Sequence, residues 1–318
     1  MFKTILVPLD GSALAARALP FAKRLARAGG ARLIVVRAYL PADDALLLRV
    51  EYPEFSAAER ADEDRETATA EFQSAVDGLR ADGLDVEDHF VEGAAADVIF
   101  DVARSTRANL IVMSTHGRGG LGRVLYGSVA DKVLLRVPVP VLLVPAGCTR
   151  VWTDVHPEPV LVPLDGSSLA AEALRPARDL AATRGGELLL LTVVEALPVY
   201  PYETPETVDA LDAAHAAHAA QYLDDVAAEL RRAAGPGVST RIVHGDPAEH
   251  ICAVARAARV GAIAMASHGR TGVSRLLFGS VTNQTLQHST VPVLVYRPIT
   301  VHRTASERAI EKIATATF

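Results

Sequence analysis

Cysteine, concentrated positive charge and long apolar runs are all scarce in this 318-residue chain. The two cysteines, Cys148 and Cys252, make no disulfide framework and lack metal-ligand spacing, so both read as reduced thiols of a cytoplasmic protein. Acidic and basic residues are mixed along the chain with a net charge of -6. No basic stripe or polybasic tail stands out, which argues against nucleic acid as a partner. Apolar runs such as Leu188–Leu191 fall far short of a membrane span. The opening apolar stretch is broken at Pro8 and Asp10, too soon for a secretory signal. The expectation is a cytoplasmic protein with no membrane partner.

What the chain does have is a balance of 50% apolar and 22% charged residues, and length enough for two domains with cores of their own. It is also written twice. Ile5-Leu-Val-Pro-Leu-Asp-Gly-Ser12 returns as Val160-Leu-Val-Pro-Leu-Asp-Gly-Ser167, 155 positions on. His116-Gly-Arg returns as His268-Gly-Arg, and Tyr126-Gly-Ser-Val129 as Phe278-Gly-Ser-Val281, both 152 positions on. Val139-Pro-Val-Leu-Leu-Val144 returns as Val291-Pro-Val-Leu-Val-Tyr296. The three residues lost between these anchors belong in a variable connection in the middle of the second copy. Copy one is placed at residues 1–147, a linker rich in Pro and charge at 148–158, copy two at 159–298 and a tail at 299–318.

Within copy one, apolar runs at 5–9, 33–38, 86–91, 110–113 and 139–144 alternate with helical spacing over 12–28, 57–81, 95–106 and from Gly127 to Arg136. Unalternated apolar strands between amphipathic helices imply an α/β fold, with a parallel sheet covered by helices on both faces. Copy two repeats the order, although its fourth strand, from Gly261, is thin in large apolar residues.

In such a sheet, ligands sit outside the carboxyl ends of the strands. Two segments of each copy fall there. Pro8-Leu9-Asp10 and Pro163-Leu164-Asp165 each precede Gly-Ser. Asp in this place reads either as a helix cap or as a carboxylate facing a ribose hydroxyl or a metal-bound phosphate. After the fourth strand come Ser114-Thr-His-Gly117 and, nine residues on, Gly127-Ser128; copy two has Ala266-Ser-His-Gly269, then Gly279-Ser280. Glycine lets the backbone approach a phosphate, and Gly-Ser at a helix start offers free N–H groups and the positive dipole end. The plain alternative is a tight loop and cap kept for folding. Gly117-Arg-Gly119-Gly-Leu-Gly122 matches G-x-G-x-x-G, but it follows the fourth strand, has no acidic residue about 20 positions on and is missing from copy two, so a Rossmann dehydrogenase is rejected.

These openings, loops and closing Pro-Val-Leu-Leu-Val segments resemble the universal stress protein family, over both copies nearly end to end. The resemblance implies two tandem Rossmann-like (adenine nucleotide alpha hydrolase-like) domains, each a five-stranded parallel sheet. It also implies pairing of the copies through their last strands as an intramolecular pseudo-dimer, and it admits a homodimer of two chains. The family's ATP-binding branch carries G-x2-G-x9-G-[ST], of which each copy keeps three of four fixed positions; Ser114 and Ala266 replace the first glycine.

Carried over, the family's site places Pro8, Leu9 and Asp10 beside adenine, ribose and metal-bound phosphate, with main-chain groups of Ala38 on the adenine. Met113, Ser114, His116, Gly117, Arg118, Gly127, Ser128 and Val129 complete the first site. The second comprises Pro163, Leu164, Asp165, Val193, Met265, Ala266, His268, Gly269, Arg270, Gly279, Ser280 and Val281. Asp10 and Asp165 are the expected metal contacts, through ATP with Mg2+. Arg123 and Arg275 lie in the same loops. The function implied is a nucleotide-dependent stress-response regulator and not a turnover enzyme, since no base stands ready to activate water. The alternatives are a stress protein that has lost nucleotide and works through partners, and an enzyme of adenylate chemistry, for which Asp-Gly-Ser is a poor pyrophosphate loop. His116 and His268 lack a nucleophile beside them and read as loop-shaping residues. His215 and His218, three apart on an Ala-rich helix, read as a solvated face. Residues 39–55 and 200–205 could cover the nucleotide as lids, and the tail after Pro298 could form an amphipathic helix.

Overall fold

The two strand–helix alternations join into one ten-stranded sheet in a computed structural model, which describes residues 1–40, 65–115, 127–153, 157–195, 205–233, 235–267 and 279–298. Copy one supplies β1 (Thr4–Pro8), β2 (Arg32–Tyr39), β3 (Val86–Glu92), β4 (Leu110–Ser114) and β5 (Val141–Val144). Its helices are α1 (Ala13–Ala16), α2 (Leu19–Gly29), α3 (Arg65–Ala81), α4 (Ala95–Ser105) and α5 (Ser128–Arg136). Copy two supplies β6 (Val160–Pro163), β7 (Leu188–Val194), β8 (Val238–His244), β9 (Ala262–Ala266) and β10 (Val293–Tyr296). Its helices are α6 (Ser168–Ala171), α7 (Leu174–Arg184), α8 (Pro205–Arg232), α9 (Pro247–Ala257) and α10 (Ser280–His288). The tail and the lid segments from Pro41 and over 200–204 lie outside the described residues.

The sheet order is β3-β2-β1-β4-β5-β10-β9-β6-β7-β8. All pairings are parallel except β5 with β10, which is antiparallel with Leu142 opposite Leu294. Every residue of β5 is buried. A five-stranded half would expose this apolar edge, so pairing with its twin removes a template for aggregation. Alternate strand residues feed two core layers that run through both halves. Ile5, Val7, Leu33 and Val35 pack with α2, α3, α7 and α8, while Leu6, Ile34 and Val36 pack with α4, α5, α9 and α10. The thin strand β9 is buried at Ala262, Ile263, Ala264 and Met265, its small side chains filling the centre of its half-sheet.

One expectation needs correction. The single helix over 12–28 is two, broken at Arg17 and Ala18. Pro20 has no N–H and its ring clashes with the carbonyl four residues back, so the chain restarts with Pro20 in the first turn of α2. The linker packs against both halves. Trp152 within it is 3% exposed, meets Phe21 edge-on at 4.8 Å and donates from Nε1 to the Gly261 carbonyl at 2.7 Å. The Arg184 guanidinium lies 4.1 Å from the indole centroid and pairs with Glu158. Arg17 donates to the carbonyls of Ala146 and Cys148, and Arg24 to that of Trp152. Cys148 and Cys252 are both buried and unbridged, and burial pushes both thiols up from their ordinary value.

Candidate functional site

In each half the chain runs β1-β2-β3 to one side and then crosses to β4 on the other, so the strand order reverses between β1 and β4, and between β6 and β9. That switch leaves a crevice at the carboxyl ends, where connections diverge in opposite directions. Those of the sequence-chosen residues that are described lie at the strand ends and helix starts of each half. Pro8 ends β1, and Leu9 donates its N–H to the Val36 carbonyl at 2.8 Å, placing Asp10 just beyond β1 and alongside the last residues of β2. Ala38 lies next to the end of β2; Met113 and Ser114 end β4. In copy two, Pro163 ends β6, Leu164 donates to Leu191 at 2.8 Å, Val193 is next to the end of β7, and Met265 and Ala266 end β9.

The two readings of the aspartates resolve locally. Asp10 Oδ1 accepts from the Ser12 N–H at 2.8 Å, and Asp165 Oδ1 from Ser167 at 2.9 Å, around Gly11 and Gly166 at φ 79° and 82°. The helix caps are the serines: Ser12 Oγ accepts from Ala15 at 3.0 Å and Ser167 Oγ from Ala170 at 3.1 Å. Each carboxylate therefore fixes the turn and is held at the crevice.

Across the crevice, Gly127 and Gly279 open α5 and α10 as N-caps without a side chain to cover the first N–H groups, and Ser128, Val129, Ser280 and Val281 form the first turns. These helix starts can accept anionic oxygens. Ser114 and Ala266 are ordinary strand residues paired with Val144 and Tyr296, so the described backbone does not call for glycine there. His116, Gly117, Arg118, Arg123, His268, Gly269, Arg270 and Arg275 lie outside the described residues. His215 and His218 are both exposed.

The model for the universal stress protein family matches residues 1–145 and again 157–297. The chain belongs to the universal stress protein family. It is 42% identical to a universal stress protein of Thermus aquaticus over 145 residues, 45% of this chain and 99% of that one. A universal stress protein of Mycobacterium bovis is 29% identical over 247 residues, 77% of this chain and 81% of the relative. A crystal structure of a universal stress protein from Archaeoglobus fulgidus superimposes with a TM-score of 0.66 at 23% identity, covering 92% of this chain and 98% of that one. Among the described residues, no helix of this universal stress protein is long and apolar enough to cross a membrane.

Sequence reasoning missed two polar groups beside the family's crevice. Ser267, one residue beyond β9, is 1% exposed, and its Oγ has no hydrogen-bond partner among the described residues. Asp131, in the first turn of α5, has Oδ1 shielded without a hydrogen-bond partner among the described residues, and burial pushes its carboxyl up to about 6 from 3.8. The helix dipole favours a negative charge there by ~0.3–1 kcal/mol. A shift of about two units corresponds to ~3 kcal/mol, so desolvation wins. A carboxyl whose folded pKa lies above its unfolded one stabilises the fold while protonated; that contribution is complete below about pH 4 and lost as pH rises through about 6. The twin position holds Asn283, which has no charge to bury. Asp131→Asn is expected to stabilise the protein at pH 7.5 by ~1 kcal/mol, the larger figure being discounted for the solvent that still reaches the side chain. At pH 4 the gain should vanish. Urea midpoints at the two pH values check this, and an equal gain at both would refute it.

Proposed function

We propose that this universal stress protein binds ATP with Mg2+ in the crevice of each half and acts as a cytoplasmic, nucleotide-dependent regulator of the stress response. The observation that carries the reading is the meeting, twice, of a switch-point carboxylate with a glycine-opened helix start. Asp10 and Asp165 would face the ribose and the metal-bound phosphates. Ser128, Val129, Ser280 and Val281 would offer N–H groups to phosphate oxygens, with Gly117 and Gly269 letting the loop pass close. Main-chain groups at Ala38 and Val193 would meet the adenine. The bound Mg2+ would supply charge neutralisation between phosphate oxygens. The sequence offers no committed base to activate water, so on this reading hydrolysis would be slow at most and the bound nucleotide would act as a signal.

The departure at Ser114 and Ala266 favours a second reading, in which the protein acts through partners without nucleotide. Calorimetric titration of Mg-ATP into the purified protein separates the two, with a Gly117→Ala, Gly269→Ala double variant beside it. Saturable binding that the double variant loses, by about tenfold or more, supports the nucleotide reading. No heat from the intact protein would overturn it in favour of the partner-binding module.

A further inference from the structure

Helix α2 and the linker that crosses it form a basic strip on one face of the sheet. From Ala13 to Gly29 the chain carries Arg17, Lys23, Arg24 and Arg27 and no acidic residue, although the whole chain has a net charge of -6. Arg17 donates to the carbonyls of Ala146 and Cys148, and Arg24 to that of Trp152, so the linker is laid along α2. A carbonyl satisfies a guanidinium donor without cancelling its charge. Between these two anchors stands Arg150, whose Nε is shielded without a hydrogen-bond partner among the described residues. No described carboxylate pairs with Arg17 or Arg150. Beside Arg150, Val151 is 71% exposed, more than any other large apolar side chain among the described residues.

The described carboxylates that reach the strip are already held. Asp82 pairs with Lys23 at 2.5 Å, and Glu158 with Arg184. The strip therefore carries more positive charge than its own surroundings answer, and the width of that charge decides what fits it. On one side lie α3 and the turn after it, where Asp77, Asp82 and Asp85 are exposed. Packed helices stand ~8–10 Å apart, about one Debye length at physiological salt. A planar anionic lipid surface, or a DNA duplex, broad enough to cover α2 would meet those carboxylates as well and be repelled. A single polypeptide segment is narrow enough to lie on α2 and the linker alone, and an apolar side chain on it can rest on Val151.

We propose that this strip docks an acidic segment of a partner protein, with its carboxylates on Arg17, Arg27 and Arg150 and an apolar side chain on Val151. The strip uses none of the crevice residues, so docking is independent of bound nucleotide.

The test follows the fluorescence anisotropy of a fluorescein-labelled peptide of glutamates with leucine at intervals, titrated with the full-length protein at physiological salt. An Arg27→Gln, Arg150→Gln double variant is expected to bind it about fivefold more weakly, the loss of two solvent-facing charge pairs. Arg104→Gln with Arg256→Gln removes the same charge from α4 and α9 on the other face, where both arginines are exposed, and should leave binding unchanged. Val151→Ser should erase the preference for this peptide over one with serine in place of leucine. Unchanged melting temperatures confirm each fold, and Arg27→Gln alone, at a side chain 56% exposed, carries the test if Arg150→Gln melts early. Equal weakening by the two double variants would mean that net charge holds the peptide, and would overturn the strip. No binding by the wild type would overturn it too. So would tighter binding of phosphatidylcholine–phosphatidylglycerol vesicles or of a short DNA duplex that the Arg27, Arg150 variant loses, since the strip would then serve another anion.

Discussion

Replacing Trp152 by alanine is expected to cost ~3–5 kcal/mol of stability, the usual penalty for emptying a fully packed aromatic site. The indole is held on three sides that belong to different parts of the chain. Phe21 of α2 meets it edge-on, Arg184 of α7 lies over its face, and the Gly261 carbonyl before β9 accepts from its N–H. Truncation leaves a cavity between α2 and α7, an unpaired buried carbonyl and a guanidinium that is 4% exposed without its ring. Against a total of ~5–15 kcal/mol for a folded domain, that is a large fraction.

Two controls separate packing from sequence position. Val151, the neighbour, is 71% exposed, and Val151→Ala should change stability by less than ~0.5 kcal/mol. Trp152→Phe keeps most of the ring and loses the N–H, so it should fall between the two, at ~1–3 kcal/mol. Urea denaturation followed by circular dichroism measures all three. If Trp152→Ala costs no more than Val151→Ala, the linker is a tether and not a strap, and the two halves are held by the β5–β10 ladder and the shared core layers without it.

The strap also shows where sequence reasoning reaches its limit. The pairing edge was readable through the family resemblance that the repeated Val-Pro-Val segments help to carry, and hiding two similar apolar edges gives the physical reason for it. The strand ends were readable too, because Pro-Leu-Asp-Gly-Ser joins a strand signal directly to a turn signal. Trp152 was hidden by its company: flanked by charge and proline, it sits in a segment whose composition says connector. Its burial depends on Phe21, Arg184 and Gly261, all distant in sequence. Asp131 against Asn283 was visible as a difference, but the shielding that gives it an energetic consequence is a property of the packed helix.

Alanine at Gly127 and at Gly279 should behave as two different substitutions, although the glycines are twins. Gly127 caps α5 at φ 83° and ψ 138°, where a side chain is strained, while Gly279 caps α10 at φ -59° and ψ 152°, open to any residue. Holding a non-glycine residue in the first conformation costs ~1–3 kcal/mol. The helix start escapes that cost only by rotating, which moves the N–H groups of Ser128 and Val129 off the crevice. Gly127→Ala is therefore expected to lose stability and to weaken Mg-ATP at the first site by about tenfold or more. Gly279→Ala should cost a few tenths of a kcal/mol, roughly a cap substitution, and leave the second site within about threefold. Titration of each single variant distinguishes the sites by stoichiometry, and urea midpoints give the strain. Equal costs at the two glycines would mean that the φ difference does not persist in solution. Unequal costs in the stated order would mean that the first helix start is fixed by strain and the second by its loop, so that two copies of one sequence motif present their N–H groups by different means.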